Sequence, residues 1–202
     1  MTYSPPLKDI RFTLDEVAAI GALKAQSVYS ELSDDLIESV LSEAGKIAAE
    51  VLAPLNSAGD KTPARLADGG VRTSPGFKDA YGAFSAGGWL GLTADPDFGG
   101  AGLPHAVACA VYEMFNAGNV SLTLGPILAM GAIDAISHHA SDELKRAYLP
   151  RIVSGEWLAT MNLTEPQAGS DLSDLKTRAV PQADGSYRLF GSKIFISWGE
   201  HD

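Results

Sequence analysis

The densest run of chemistry-bearing residues is Met161-Asn162-Leu163-Thr164-Glu165-Pro166-Gln167-Ala168-Gly169-Ser170-Asp171. Its turn, Ala168-Gly169-Ser170-Asp171, offers backbone N–H groups, a hydroxyl and little steric cover. That suits a phosphate oxygen, because donors can converge where no side chain blocks the approach. The same Gly-Ser-Asp triplet equally serves as an ordinary turn or helix cap. Glu165 has the chemistry of a general base. Further along, Phe195-Ile196-Ser197 supplies an aromatic face and a hydroxyl, although Phe195 by itself reads as an inward-facing strand residue. His138-His139 is a weaker candidate. Adjacent helical residues point about 100° apart, and no Cys or carboxylate cluster accompanies the pair, so a capping role near a helix C-terminus is expected and no metal site. Gly99-Gly100-Ala101-Gly102 lacks the following Lys-Ser/Thr and the preceding strand of a nucleotide loop.

The elements that must hold these residues change character along the chain. A lead in which Ile10, Phe12 and Leu14 alternate reads as a short strand on a peripheral extension, residues 1–32, with helical spacing over Asp15 to Val28. Ser33 then caps an amphipathic helix through Leu36, Ile37, Val40, Leu41, Ala44, Ile47, Ala48, Val51 and Leu52, closed by Pro54. Asn56 to Thr73 reads as a loop with a small hairpin around Asp68-Gly69-Gly70. Pro75 opens a helix that ends near Gly87-Gly88, and Pro104 opens one carrying Val107, Val111 and Phe115. Ser121 to Ile136 is apolar nearly all round and is expected at the centre of a bundle. Ser141 caps a last helix, Asp142 to Val153. Beyond Trp157 the pattern turns to short extended runs: Leu175–Val180 and Tyr187–Phe190 about an Asp184-Gly185 turn, then Ile194–Ser197. The fold class is therefore α+β: an all-α bundle over 33–156, followed over 157–202 by the first three or four strands of an incomplete antiparallel β domain.

Composition narrows the function classes. The chain has 202 residues, 46% of them hydrophobic, enough for a sizeable core. With 15 basic and 25 acidic residues its formal charge is −10, which repels polyanions and argues against nucleic-acid binding. The single cysteine, Cys109, lies in an apolar run and is expected to be plain core. The N-terminus lacks the basic start and apolar stretch of a secretory signal, so a cytoplasmic protein is expected. The most apolar window contains Pro126 and Asp134 and falls short of the roughly 20 residues that span a bilayer.

Taken together, four strings resemble the acyl-CoA dehydrogenase family in the order they occur. The first is Gly88-Trp89-Leu90-Gly91-Leu92 with Asp97-Phe98-Gly99-Gly100-Ala101-Gly102-Leu103, and the second is Leu149-Pro150 with Gly155-Glu156. The third is the Thr164-Glu165-Pro166 and Ala168-Gly169-Ser170-Asp171 signature, and the fourth is Gly191-Ser192-Lys193-Ile194-Phe195-Ile196-Ser197. The two chain ends, including Trp198-Gly199-Glu200-His201-Asp202, look like the subgroup that includes 3-methylmercaptopropionyl-CoA dehydrogenase. The resemblance implies an antiparallel β-barrel as the second domain, FAD as cofactor, and α,β-dehydrogenation of an acyl-CoA thioester by hydride transfer to flavin N5. It further implies that Met161, Leu163 and Thr164 pack on the flavin and hydrogen-bond its polar edge. Gly169 and Ser170 would lie at the pyrophosphate or acyl-CoA entrance, with Ser170 also touching substrate. Phe195, Ile196 and Ser197 would cover one flavin face, where relatives carry Trp-Ile-Thr. The family's catalytic glutamate belongs to a C-terminal domain, so no catalytic residue is assigned within these residues and Glu165 is expected to be structural. The resemblance also implies an electron-transfer flavoprotein as partner and a homo-oligomer at full length. The fragment itself is expected to be inactive. A non-catalytic module that binds acyl-CoA or a partner is the alternative.

Overall fold

The computed structural model describes residues 3–67 and 69–202. Helix α1 (Leu7–Phe12) runs straight into a π-helical turn, Thr13–Val17, where alternation suggested a strand. Ile10 and Leu14 are four apart, one helical turn, and both are buried. Phe12, the third member of the apparent alternation, points outward and is 63% exposed. With α2 (Ile20–Lys24) this lead contributes Ile10, Leu14, Ile20 and Leu32 to the main core.

Ser33 accepts a hydrogen bond from the Leu36 amide and opens α3, Asp34–Lys46. Pro54 does not end the helical path as the sequence suggested. A π-helical stretch, Ile47–Leu52, intervenes, and Pro54 falls in the first turn of α4, Ala53–Lys61, where its missing N–H is not needed. Of the residues expected to form a loop, those up to Lys61 are therefore helical. The expected hairpin is present as β1 (Arg65–Ala67) and β2 (Gly70–Arg72), antiparallel with Leu66 opposite Val71. Asp68 lies outside the described residues. Helix α5 (Phe77–Ala86) follows, with Gly76 before it at φ 85°.

Helix α6, His105–His139, is long and apolar enough to cross a membrane by length and composition alone. It is the core helix here, with Val107, Val111, Met114, Phe115, Leu122 and Ala129 buried against α3, α4, α7 and the π-helical stretch. Its two halves match the two helices expected from the sequence, and the break falls at Asn119, whose φ/ψ of −160°/86° is non-helical. Asn119 Oδ1 accepts from the Leu122 amide at 3.2 Å, the geometry of an N-cap for the second half, while its Nδ2 donates to the Leu52 carbonyl at 3.3 Å. At Gly118 the backbones approach so closely that a Cβ would sit 2.9 Å from the Ala48 carbonyl oxygen.

An aromatic knot fills the middle of this core. Phe115 meets Phe84, Trp89 and Tyr112 edge-on, at 5.3, 5.3 and 5.6 Å between ring centres. Cys109 is exposed rather than buried. Val107, Ala108 and Val111 take the inward stripe, and position 109 is turned about 100° past it. Trp157 lies outside the core under the Arg151 guanidinium, 4.6 Å from its ring centre.

Helix α7 (Asp142–Val153) is capped by Ser141 and followed by Gly155 at φ 78°. Beyond it, β3 (Arg178–Pro181) pairs antiparallel with β4 (Tyr187–Phe190), Val180 opposite Arg188, around Gly185 at φ 83°. Both strands are exposed along their whole length. Only these two strands and an isolated Glu165–Ala168 bridge form among the described residues after 157, fewer than expected. Ile194–Ser197 is irregular, and Phe195 sits in the left-handed region at φ 57°.

Candidate functional site

The segment 161–171 is shaped from within by Glu165. Its amide donates to the Ala168 carbonyl and its carbonyl accepts from the Ala168 amide, at 2.9 and 3.0 Å, which closes the Pro166-Gln167 turn. Its side chain is buried and each carboxylate oxygen is engaged. Oε1 receives Lys193 Nζ at 2.8 Å and the Thr177 amide at 3.0 Å, whereas Oε2 receives the Lys176 amide at 2.9 Å and Gln167 Nε2. The Lys193 ammonium, with the donors from Thr177 and Lys176, holds this carboxyl well below the usual carboxylate range. A carboxylate so occupied is a poor proton acceptor, so Glu165 serves as a structural tie, as the sequence suggested.

Lys193 makes the second connection. Its ammonium also donates to the Leu163 carbonyl at 2.8 Å, and the Ile194 amide donates to the Thr164 carbonyl at 3.0 Å. Two segments separated by about thirty residues in sequence, as from Leu163 to Lys193, thus run side by side. They bring Leu163 and Thr164 next to Ile194 and Phe195. Lys193 was quoted in the sequence only as part of a string. Its signal was a lone cation before an apolar run, matched to a lone carboxylate inside a turn.

The residues expected at the site lie on the open side of this junction. Met161 is 60% exposed and Phe195 is 85% exposed, while Leu163, Thr164 and Ile196 are half-buried and Ser197 is exposed. Gly169 and Ser170 are exposed at the mouth of the turn. Asp171 is taken up by capping: its Oδ1 accepts from the Ser173 amide at 2.9 Å and the Ser173 hydroxyl at 2.6 Å, which starts a short 3₁₀ turn. These contacts lower the Asp171 carboxyl below its ordinary range. The ordinary-turn reading of Gly-Ser-Asp therefore accounts for Asp171 and leaves Gly169 and Ser170 unspent. Among the described residues, the amides of Leu163, Thr164, Gly169 and Ser170 and the hydroxyls of Thr164, Ser170 and Ser197 donate to no protein group. Unspent donors beside exposed apolar surface are what a large heteroaromatic phosphate ester requires, stacking on one part and hydrogen bonds to another.

The other candidates separate from this place. His138 Nδ1 lies 2.8 Å from the Asp134 carbonyl in the last turn of α6, which accords with capping. In the glycine loop, Gly99 and Gly102 have φ of 88° and 61°. A Cβ at Gly100 would fall 2.0 Å from the Ala94 carbonyl oxygen, so that glycine is there for close backbone approach.

Comparisons with known proteins agree with this architecture. The profile of the acyl-CoA dehydrogenase N-terminal domain matches residues 38–156. A 3-methylmercaptopropionyl-CoA dehydrogenase of Ruegeria pomeroyi is 45% identical over 202 residues, which is 100% of this chain and 34% of that protein. Among solved structures, butyryl-CoA dehydrogenase from Megasphaera elsdenii superposes with a TM-score of 0.69 at 24% identity, covering 82% of this chain and 41% of its own. PigA solved as an FAD complex gives 0.65 at 25% identity, covering 82% and 40%. The chain thus spans about a third of the length of the curated relatives it matches first. With the profile match running through most of the helical bundle, the chain belongs to the acyl-CoA dehydrogenase family.

Proposed function

We propose that these residues are the front part of an FAD-dependent dehydrogenase that introduces an α,β double bond into an acyl-CoA thioester. The observation that carries the reading is the Thr164–Ile194 junction. It sets unspent donors at Leu163 and Thr164 beside the exposed ring of Phe195. Support for the cofactor comes from the FAD complex of a structural neighbour. Support for a thioester substrate comes from the acyl-CoA dehydrogenases among the relatives.

FAD would supply the hydride acceptor. Met161, Phe195 and Ile196 would hold its ring by apolar contact. The Leu163 amide and the Thr164 amide and hydroxyl would face its polar edge, and Ser197 would add a further hydroxyl. Donors fixed in place before reaction stabilise negative charge as it develops, without a reorganisation cost. Gly169 and Ser170 would receive phosphate oxygens, and Ser170 would also touch the acyl-CoA. The proton at the α carbon would go to a base outside these 202 residues, since the Glu165 carboxylate is committed to Lys193 and its neighbours. An electron-transfer flavoprotein as acceptor and a homo-oligomeric assembly complete the proposal, with domain limits at 33–156 and 157–202.

Flavin reduction by an acyl-CoA in the full-length protein tests the assignment. Thr164→Ala is expected to slow reduction by about 100- to 1000-fold, the range for loss of one pre-set donor, with little change in folding. Unchanged stopped-flow reduction kinetics would remove Thr164 from the site.

A further inference from the structure

Phe195 is 85% exposed, so no packing of its own fixes its ring. Its direction depends on the backbone, and that backbone is unusual. Phe195 and Trp198 both occupy the left-handed region, at φ 57° and 55°. Aromatic residues enter that region rarely, and they stay there only where the surroundings over-determine the conformation.

The surroundings are three contacts made by the residues just downstream. The Trp198 indole lies on Gly125 of α6, so close that a Cβ there would stand 2.9 Å from its Cδ2 and 3.2 Å from its Cγ and Cε3. Glu200 Oε1 accepts from the Val71 amide of β2 at 3.3 Å. Asp202 Oδ1 accepts from the amide and the hydroxyl of Thr73 at 2.8 and 2.7 Å, with the Arg72 guanidinium 3.9 Å from Oδ2. Helix α6 and the β1–β2 hairpin, both in the helical half, therefore grip one short turn from two sides. A main-chain bond at Ile194 fixes the other end of the segment.

We propose that the turn Trp198–Asp202 is a strut whose positioning residues, Trp198, Glu200 and Asp202, set the orientation of Phe195 from the helical half of the molecule. The role assigned to Phe195 itself rests on the flavin reading above. Gly125 and Thr73 belong to the strut as its receiving surfaces. Neither was singled out by its sequence context, because their partners lie far along the chain: 129 residues separate Thr73 from Asp202.

The test needs no flavin at first. Chymotrypsin cleaves after aromatic residues, and a backbone held in a left-handed turn is a poor substrate until it opens locally. Cleavage after Phe195 is therefore compared with cleavage after Phe190, at the end of the exposed hairpin, as an internal reference. Asp202→Ala and Gly125→Val are expected to raise the Phe195/Phe190 cleavage ratio about tenfold, because cleavage tracks the population of the open form. Thr73→Val should do the same and Thr73→Ser should restore the wild-type ratio. A ratio unchanged in both Asp202→Ala and Gly125→Val would overturn the strut, and global unfolding would be recognised by equal acceleration at both sites. In the full-length protein loaded with FAD, Thr73→Val is expected to weaken FAD binding and shift the flavin absorption band, with Thr73→Ser again restoring both. An accelerated cleavage with unaltered flavin affinity and spectrum would overturn the positioning role. Failure of the wild-type full-length protein to bind FAD would overturn the flavin reading instead, leaving the cleavage ratio to decide the strut alone.

Discussion

The Glu165–Lys193 pair is where a single side chain governs the most geometry. Glu165 is buried, yet four donors surround it, one of them the full positive charge of Lys193, which satisfies the condition under which a buried carboxylate is tolerated. Lys193→Met is expected to lower the Tm and to release the Leu163 carbonyl, because the carboxylate would keep its burial and lose its counter-charge. The sign of the acid response follows from the direction of the shift. A carboxyl depressed on folding contributes stability that is fully present above its unfolded value and disappears as pH falls towards its folded one. Asp202, lowered from 3.8 to about 2 chiefly by the Thr73 amide and hydroxyl, behaves likewise, so its contribution is lost between about pH 4 and about pH 2. Thermal unfolding followed by circular dichroism should show wild type losing stability over the acid range, with a flatter profile in Lys193→Met.

The elements of the bundle were legible where a periodic stripe and a cap agreed. Ser33 and Ser141 cap α3 and α7 as their spacing predicted, and Asp184-Gly185 turns the β3–β4 hairpin. Legibility failed where local chemistry had more than one outcome. Pro54 reads as a stop, but a π-helical stretch restarts the helix so that the proline falls in a first turn. Ile10 and Leu14 fit alternation and a helical turn equally, and docking on the core decides for the helix. Asn119 had no signal of its own in an apolar run, yet it caps the second half of α6 and ties it to Leu52. Asn119→Ala is expected to cost about 0.5–2 kcal/mol, the range for loss of an N-cap, measurable by urea unfolding with an unchanged m-value. At the candidate site, the strings around Thr164 and Phe195 stood out through resemblance, and the structure joins them. The bonds that join them were not legible, since they link segments with no local pattern in common.

On the scale of the molecule, packing is uneven. The helical half closes on itself around Phe84, Phe115 and Leu122, all fully buried, whereas β3 and β4 leave Leu189 75% and Tyr187 64% exposed. Local stability follows buried apolar contact. Amide exchange in α6 is therefore expected to require near-global unfolding, while β3–β4 amides exchange through local opening at rates nearly independent of added denaturant. Equal protection in both regions would contradict this division. The chain also holds one thiol, Cys109, which stands free on α6 beside Ile10, Thr13 and Leu14 of the N-terminal lead. A fluorophore coupled there would occupy one defined address, and its emission would report whether the lead is seated on the bundle or has peeled away.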